Sequence, residues 1–237
     1  MTTARPNQGN RTAVAALRPE RAGIRRIGLL GGSFNPAHEG HLHISRLALA
    51  HLKLHEVWWL VSPQNPLKQV RGMAPLATRL AGARECARGE AIWVSAMERA
   101  LGTRYTVYTL PAVVAAFPRT RFVWLMGADL MVQIPHWKNW RRFFEMLPVA
   151  VFDRGSYSQE ALSGEAARVF ARDRVASAQA VQLPLMRPPA WAFFETPVLP
   201  VSATEIRLRK AGSASPSGIY TMAPEQGGAG RKGEAGP

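Results

Sequence analysis

Short apolar runs alternate with helix-length runs along this chain, and that alternation limits what it can fold into. Strand candidates are Arg26–Leu30, Val57–Ser62, Ile92–Ser95, Arg121–Met126 and Val149–Asp153, with a weaker one at Ala192–Glu195. Each is rich in Val, Ile, Leu, Phe or Trp and is bounded by turn residues. Helix candidates lie between them at Leu42–Leu54, Leu76–Arg88, Thr106–Phe117 and Ser158–Asp173. In the last, Leu162, Ala166, Val169 and Phe170 recur at helical spacing. In Thr106–Phe117, Pro111 threatens a kink. Strands that are apolar almost end to end, alternating with helices, predict an α/β fold: a mainly parallel sheet with helices on both faces. Ligands of such sheets bind beyond the carboxyl ends of the strands, where the strand order reverses.

Size and composition set the outer limits. The chain has 237 residues, 47% of them hydrophobic, which suits one large domain or one domain with an appendage. No apolar run approaches the roughly 18–20 residues that span a membrane. The formal charge is +14. Much of that excess lies at the ends: Met1 to Arg26 holds six arginines against one acid, Glu20. Elsewhere the basic residues are dispersed and no stripe of them interleaves with aromatics, so nucleic acid stays the minority reading and an anionic small substrate is preferred. The domain reading is a flexible basic extension over 1–23, one domain over 24–211, and a Gly-, Ser- and Ala-rich disordered tail over 212–237. A single cysteine, Cys86, excludes an intrachain disulfide framework and agrees with a cytoplasmic location.

One run carries the chemistry: Gly31-Gly32-Ser33-Phe34-Asn35-Pro36-Ala37-His38-Glu39-Gly40-His41. It leaves the first strand candidate and enters the first helix candidate. Glycines let the backbone approach a ligand, and the new helix offers unpaired N–H groups and the positive end of its dipole. His38 and His41 are three apart, so they can face one ligand. A glycine turn capped by a histidine is the structural alternative. The run is neither a G-x-G-x-x-G fingerprint nor a P-loop, and its histidines are too close together for a zinc-protease helix. A second run, Val201-Ser202-Ala203-Thr204-Glu205-Ile206-Arg207, offers hydroxyls at a helix start and an arginine fork for phosphate oxygens. Alone it reads as an ordinary cap; together with the first run it reads as a second jaw on one polyphosphate.

These two runs together resemble the HxGH class of nucleotidyltransferases. Four further stretches narrow the resemblance to the bacterial nicotinate-nucleotide adenylyltransferases: Trp58–Pro63 with Asn65–Lys68, Arg104-Tyr105-Thr106 with Thr109-Leu110, Met126-Gly127-Ala128-Asp129, and Pro135-His136-Trp137. The resemblance spans Ile24 to Gly212 and implies a Rossmann-like, doubly wound fold. It also implies a reaction: the 5′-phosphate of nicotinate mononucleotide attacks the α-phosphorus of ATP, pyrophosphate leaves, and deamido-NAD⁺ forms. Magnesium is implied as a companion of ATP. Gly31, Gly32, Ser33 and Phe34 are then expected along ATP, and His38 and His41 at its α- and β-phosphates. Gly127 and Asp129 are expected at the ribose, and Ser202, Thr204 and Arg207 at the β- and γ-phosphates. On the acceptor side, Trp137 is expected to stack on the nicotinate ring and the backbone near Thr106 and Lys138 to read its carboxylate. Asn35, Lys68 and Arg154 are further acceptor contacts.

The residues also admit plainer readings. Trp137 and Trp140 can be core, Asp129 a helix cap, Lys68 a solvated loop charge, and His43 a surface residue; His51, His55 and His136 receive no role. The chain departs from the family at Asn35, where aspartate is common. It departs again after Ala211, where Gly-Ser-Ala-Ser-Pro-Ser-Gly stands in place of a closing apolar segment and helix. Alternative functions are a related transferase acting on phosphopantetheine or glycerol phosphate, or a nucleotide-binding protein without catalysis. Self-association is left open.

Overall fold

A computed structural model describes Arg18 and residues 22–63, 72–103, 105–153 and 157–196. The expected extension and tail fall outside the described residues, apart from Arg18, Ala22 and Gly23. In chain order the elements are β1 (Arg25–Gly32), α1 (Glu39–His51), β2 (Glu56–Val61), α2 (Leu76–Cys86), β3 (Ile92–Ser95), α3 (Met97–Ala100), α4 (Thr106–Ala116) and β4 (Thr120–Gly127). There follow α5 (Ala128–Gln133), α6 (Trp140–Phe144), β5 (Val149–Phe152), α7 (Ser158–Ser163), α8 (Glu165–Val169), β6 (Arg174–Val175) and β7 (Trp191–Phe194). Short 3₁₀ turns stand at Ile134–His136, Ala171–Asp173 and Ser177–Leu185.

The strands form one sheet in the order β3-β2-β1-β4-β5-β7-β6, with every pairing parallel. The chain builds outward from β1 to β3, then crosses back to lay β4 on the other side of β1. The order therefore reverses between β1 and β4, and the crevice of a doubly wound sheet opens at their carboxyl ends. Gly31 and Gly32 end β1, and Gly127 ends β4.

Alternation along each strand feeds two cores. Leu29, Trp58, Leu60, Trp124, Met126, Val151 and Phe193 face one side, where α4, α5 and α6 contribute Leu110, Val113, Met131, Phe143 and Phe144. Leu30, Trp59, Val61, Val123, Leu125, Phe152 and Phe194 face the other, against Leu42, Ile44 and Ala48 of α1, Ala83 of α2 and Leu183. Burial on both faces is why the strands lack polar alternation.

All six strand candidates are present, Ile92–Ser95 with its bounds unchanged and the others with ends shifted by at most two residues. The two-residue β6 adds an edge that the sequence reading did not include. Helix α1 starts three residues before the expected Leu42, because the cap is His38, and it stops at His51. Helix α4 runs through Pro111, which forgoes one rung of its hydrogen-bond ladder. The expected single helix over Ser158–Asp173 is three pieces. Gly164 is extended there (φ −69°, ψ 169°) and both ends α7 and begins α8. A Cβ on Gly164 would come within 2.9 Å of the Glu160 carbonyl oxygen, so the break uses the missing side chain. Arg18 reaches the sheet: it pairs with Glu56 and lies 4.9 Å over the Trp93 ring.

Candidate active site

The turn that leaves β1 is shaped by close approach. A Cβ on Gly31 would lie 2.5 Å from Cη2 of Trp124, so the indole occupies the place of a side chain. Trp124 pairs in register with Leu29 and extends along that face to the end of β1. Phe34 adopts φ 47°, a left-handed conformation strained for an aromatic residue. Packing holds it there: Phe34 is 1% exposed, stacks on Trp59 at 4.9 Å and approaches the His41 ring at 4.6 Å.

The two motif histidines cap α1 reciprocally. The Gly40 N–H donates to His38 Nδ1 at 3.1 Å, and the His38 N–H donates to His41 Nδ1 at 3.2 Å. The ring centroids are 4.0 Å apart. This is the geometry of a capping box, with imidazole nitrogens in place of the usual hydroxyl and carboxylate. An Nδ1 that accepts from the backbone leaves a neutral ring its proton on Nε2. Each ring is thereby oriented as an Nε2–H donor beside the N-terminus of a 13-residue helix. The cap occupies only the Nδ1 atom of each ring, so it does not exclude the phosphate-facing role weighed against it in the sequence. Behind them the Trp59 Nε1–H donates to Ser45 Oγ at 2.9 Å, and the Ser45 hydroxyl donates to the His41 carbonyl at 2.8 Å.

Across the crevice, Gly127 ends β4 and caps α5, with Asp129 in that helix's first turn rather than at its cap. Trp137 is half-buried and packs edge-on to Phe143 at 5.8 Å, while Trp140 is wholly in the core. The Lys138 ammonium lies 5.0 Å over the Tyr105 ring and 5.4 Å over that of Tyr108. Tyr105 directly precedes Thr106, the first residue of α4. Thr106 and Lys138, far apart in the chain, thus belong to one cluster. Lys68, Arg154, Ser202, Thr204 and Arg207 lie outside the described residues.

Asn35 has a structural task at this site. Its amide donates to the Gly72 carbonyl at 2.9 Å and its oxygen accepts from the Ala74 N–H at 3.2 Å. A carboxylate could accept but not donate, so the amide fits both bonds. His43 is half-buried rather than a surface residue, with Nε2 out of solvent. His55 is structural: its Nδ1 accepts from the Arg26 N–H at 3.0 Å.

Two residues here escaped the sequence reading. Arg79 of α2 is 3% exposed and is surrounded by backbone carbonyls. Glu98 of α3 is 5% exposed and hydrogen-bonds to Ser62; burial pushes its carboxyl up to about 7, the Ser62 bond opposing. Its Oε2 has no hydrogen-bond partner among the described residues. Each lies in a segment where a surface charge is the ordinary expectation.

Residues 29–209 match the family described as cytidylyltransferase-like. The chain belongs to that family. Within it, the chain is 51% identical over 184 residues to a protein of Parvibaculum lavamentivorans (strain DS-1) named "Probable nicotinate-nucleotide adenylyltransferase", covering 78% of this chain and 92% of that one. A protein of the same name from Gluconobacter oxydans (strain 621H) is 48% identical over 191 residues, covering 81% and 97%. Among solved structures, the Plasmodium falciparum nicotinic acid mononucleotide adenylyltransferase complexed with NaAD superposes with a TM-score of 0.59, covering 78% of this chain and 83% of that one. At 16% identity that likeness is one of fold. The nicotinate-nucleotide branch of the nucleotidyltransferases, expected from the motifs, is thus where the relatives lie, and this chain is a nucleotidyltransferase.

Proposed function

We propose that this enzyme transfers AMP from ATP to nicotinate mononucleotide, releasing pyrophosphate and forming deamido-NAD⁺. The observation that carries the reading is the histidine pair: two imidazoles locked by their Nδ1 atoms, at a helix N-terminus, where the strand order reverses. In the reaction an acceptor phosphate oxygen bonds to the α-phosphorus of ATP while the bond to the bridging oxygen breaks. Negative charge moves onto the departing pyrophosphate. Fixed Nε2–H donors and the helix end stabilise that charge without reorganising. No enzyme nucleophile is required.

Gly31, Gly32, Ser33 and Phe34 line the ATP side in this reading, with His38 and His41 at the α- and β-phosphates and Gly127 and Asp129 at the ribose. Ser202, Thr204 and Arg207 close on the β- and γ-phosphates. Trp137 stacks on the nicotinate ring, and backbone N–H groups near Thr106 and Lys138 read its carboxylate. Asn35, Lys68 and Arg154 complete the acceptor side; for Asn35 the bonds to Gly72 and Ala74 make an indirect contribution, through the loop stem, the better supported one. Magnesium arrives with ATP as part of that substrate; among the described residues no group of three or more His, Cys, Asp or Glu side chains is gathered to hold a metal. Among them also, no helix is long and apolar enough to cross a membrane. A reaction between two phosphorylated nucleotides suits the cytoplasm, where both are made.

Pyrophosphate release tests the reading, measured with ATP and an acceptor panel of nicotinate mononucleotide, its amide analogue, phosphopantetheine and, with CTP, glycerol phosphate. Nicotinate mononucleotide is expected to be preferred, because N–H groups set for a carboxylate are poorly matched by an amide. Turnover of another acceptor in its place would refute the assignment.

A further inference from the structure

Arg79 has no part in the reaction as described above, and its surroundings are unusual for a cation. Desolvation pushes its guanidinium below its ordinary value, with no carboxylate opposing. Four of its five N–H donors go to main-chain carbonyls. Nη1 donates to Ser33 at 2.6 Å and to Ser62 at 2.7 Å, Nη2 to Pro63 at 2.8 Å, and Nε to Ala74 at 2.9 Å. These carbonyls come from three segments: the turn leaving β1, the chain leaving β2, and the chain entering α2. A buried cation without a counter-ion is costly, and an apolar residue could fill the space without that cost. What the guanidinium supplies is a rigid fork of donors that reaches three strands of backbone at once.

The turn it holds is the one that carries the site. Ser33 precedes Phe34, whose strained backbone and stacked ring set the wall beside His41. Asn35, on the other side of Phe34, ties the same turn to residues 72 and 74. Arg79 and Asn35 therefore brace the turn from both flanks.

We propose that Arg79 is a positioning residue for the transfer step: it fixes the Gly31–Asn35 turn, and through Phe34 the His41 imidazole, at the spacing the reacting phosphates require. The proposal rests on the adenylyl-transfer reading. Arg79 acts through the backbone it grips, so its loss should appear in kcat more than in substrate affinity. Lysine keeps the charge but has a single ammonium in place of the fork, and cannot bridge the three segments.

The test uses the full chain with Arg79→Lys, Arg79→Met and a control, Leu147→Ala, which opens a cavity in the core before β5. Turnover is measured for each well below its own Tm. A displacement of about 1 Å costs on the order of 10²-fold, and Arg79→Lys is expected to lose kcat on that scale. Its KM for ATP should move less than about threefold, the mark of an interaction realised in the transition state. Leu147→Ala, with an equal or larger fall in Tm, should keep the parent kcat. The proposal is overturned if Arg79→Lys stays within about threefold of the parent kcat, if its loss lies in KM alone, or if Leu147→Ala loses kcat in step with its Tm. If Arg79→Met does not fold, Arg79→Lys decides. A parent without turnover of nicotinate mononucleotide would refute the transfer reading and this proposal together; an active parent with an undiminished Arg79→Lys would refute the proposal alone.

Discussion

Replacing Glu98 by glutamine should flatten the pH dependence of stability. Glu98 is 5% exposed, and its carboxyl rises from 4.5 to about 7 on folding because burial penalises the charge. Between those values the folded chain binds more protons than the unfolded one, so stability must fall as pH rises through that window. Below about pH 4 both states hold the proton and no penalty exists; above about pH 7 the folded state carries a buried carboxylate. A shift from 4.5 to about 7 corresponds to about 3 kcal/mol, at about 1.4 kcal/mol per unit. Glutamine is neutral throughout and keeps the shape, so this contribution to the slope should vanish. Its amide places an N–H where Oε2 is now buried without a partner among the described residues, which costs stability at every pH equally. The difference in slope therefore carries the test, and the offset does not. Urea unfolding of both proteins from about pH 4 to pH 8 measures it, since other titrating groups contribute alike to each. Parallel curves would refute the reasoning and mean that water or a rearranged Ser62 relieves the ionised form.

Gly31→Ala should lower stability by about 1–3 kcal/mol, because its Cβ would lie 2.5 Å from the Trp124 ring in a packed core; an unchanged Tm would show that the indole moves freely. His41→Ala should lose about 10²–10³ in kcat, as for one preorganised donor. It also removes the acceptor for the His38 N–H, so rates are compared at temperatures where both proteins are folded, and an undiminished rate would refute the role. Asn35→Asp should cost about 1 kcal/mol, since a carboxylate at 2.9 Å from the Gly72 carbonyl has no proton to donate; thermal unfolding at neutral pH reads it, and a variant as stable as the parent would show the amide bond to be dispensable.

What could be read from the sequence, and what could not, follows from how far each feature reaches. The strands were legible because both faces of the sheet are buried, so Trp58-Trp59-Leu60-Val61 needs no register to be recognised as β2. The short helices α3, α5 and α6 were missed because one turn or two is too little for a 3.6-residue period to register. The start of α1 lies three residues before Leu42 because His38, which the sequence offered as an alternative cap, does cap the helix. The histidine spacing gave the pair, but which nitrogen faces inward depends on backbone N–H groups whose placement only the turn decides. Arg79 was the least accessible of all. It shares an alanine- and arginine-rich segment with Arg84 and Arg88, and composition does not separate the three. The difference lies in what meets each side chain: Arg84 and Arg88 are exposed, whereas Arg79 meets carbonyls 46 and 17 positions earlier in the chain, brought together only when β1 and β2 pair. Residues that touch substrate carry a local signature because the ligand's chemistry constrains neighbouring positions. A residue that shapes a site by holding its backbone owes its place to the fold, and a chain read in one dimension carries no mark of it.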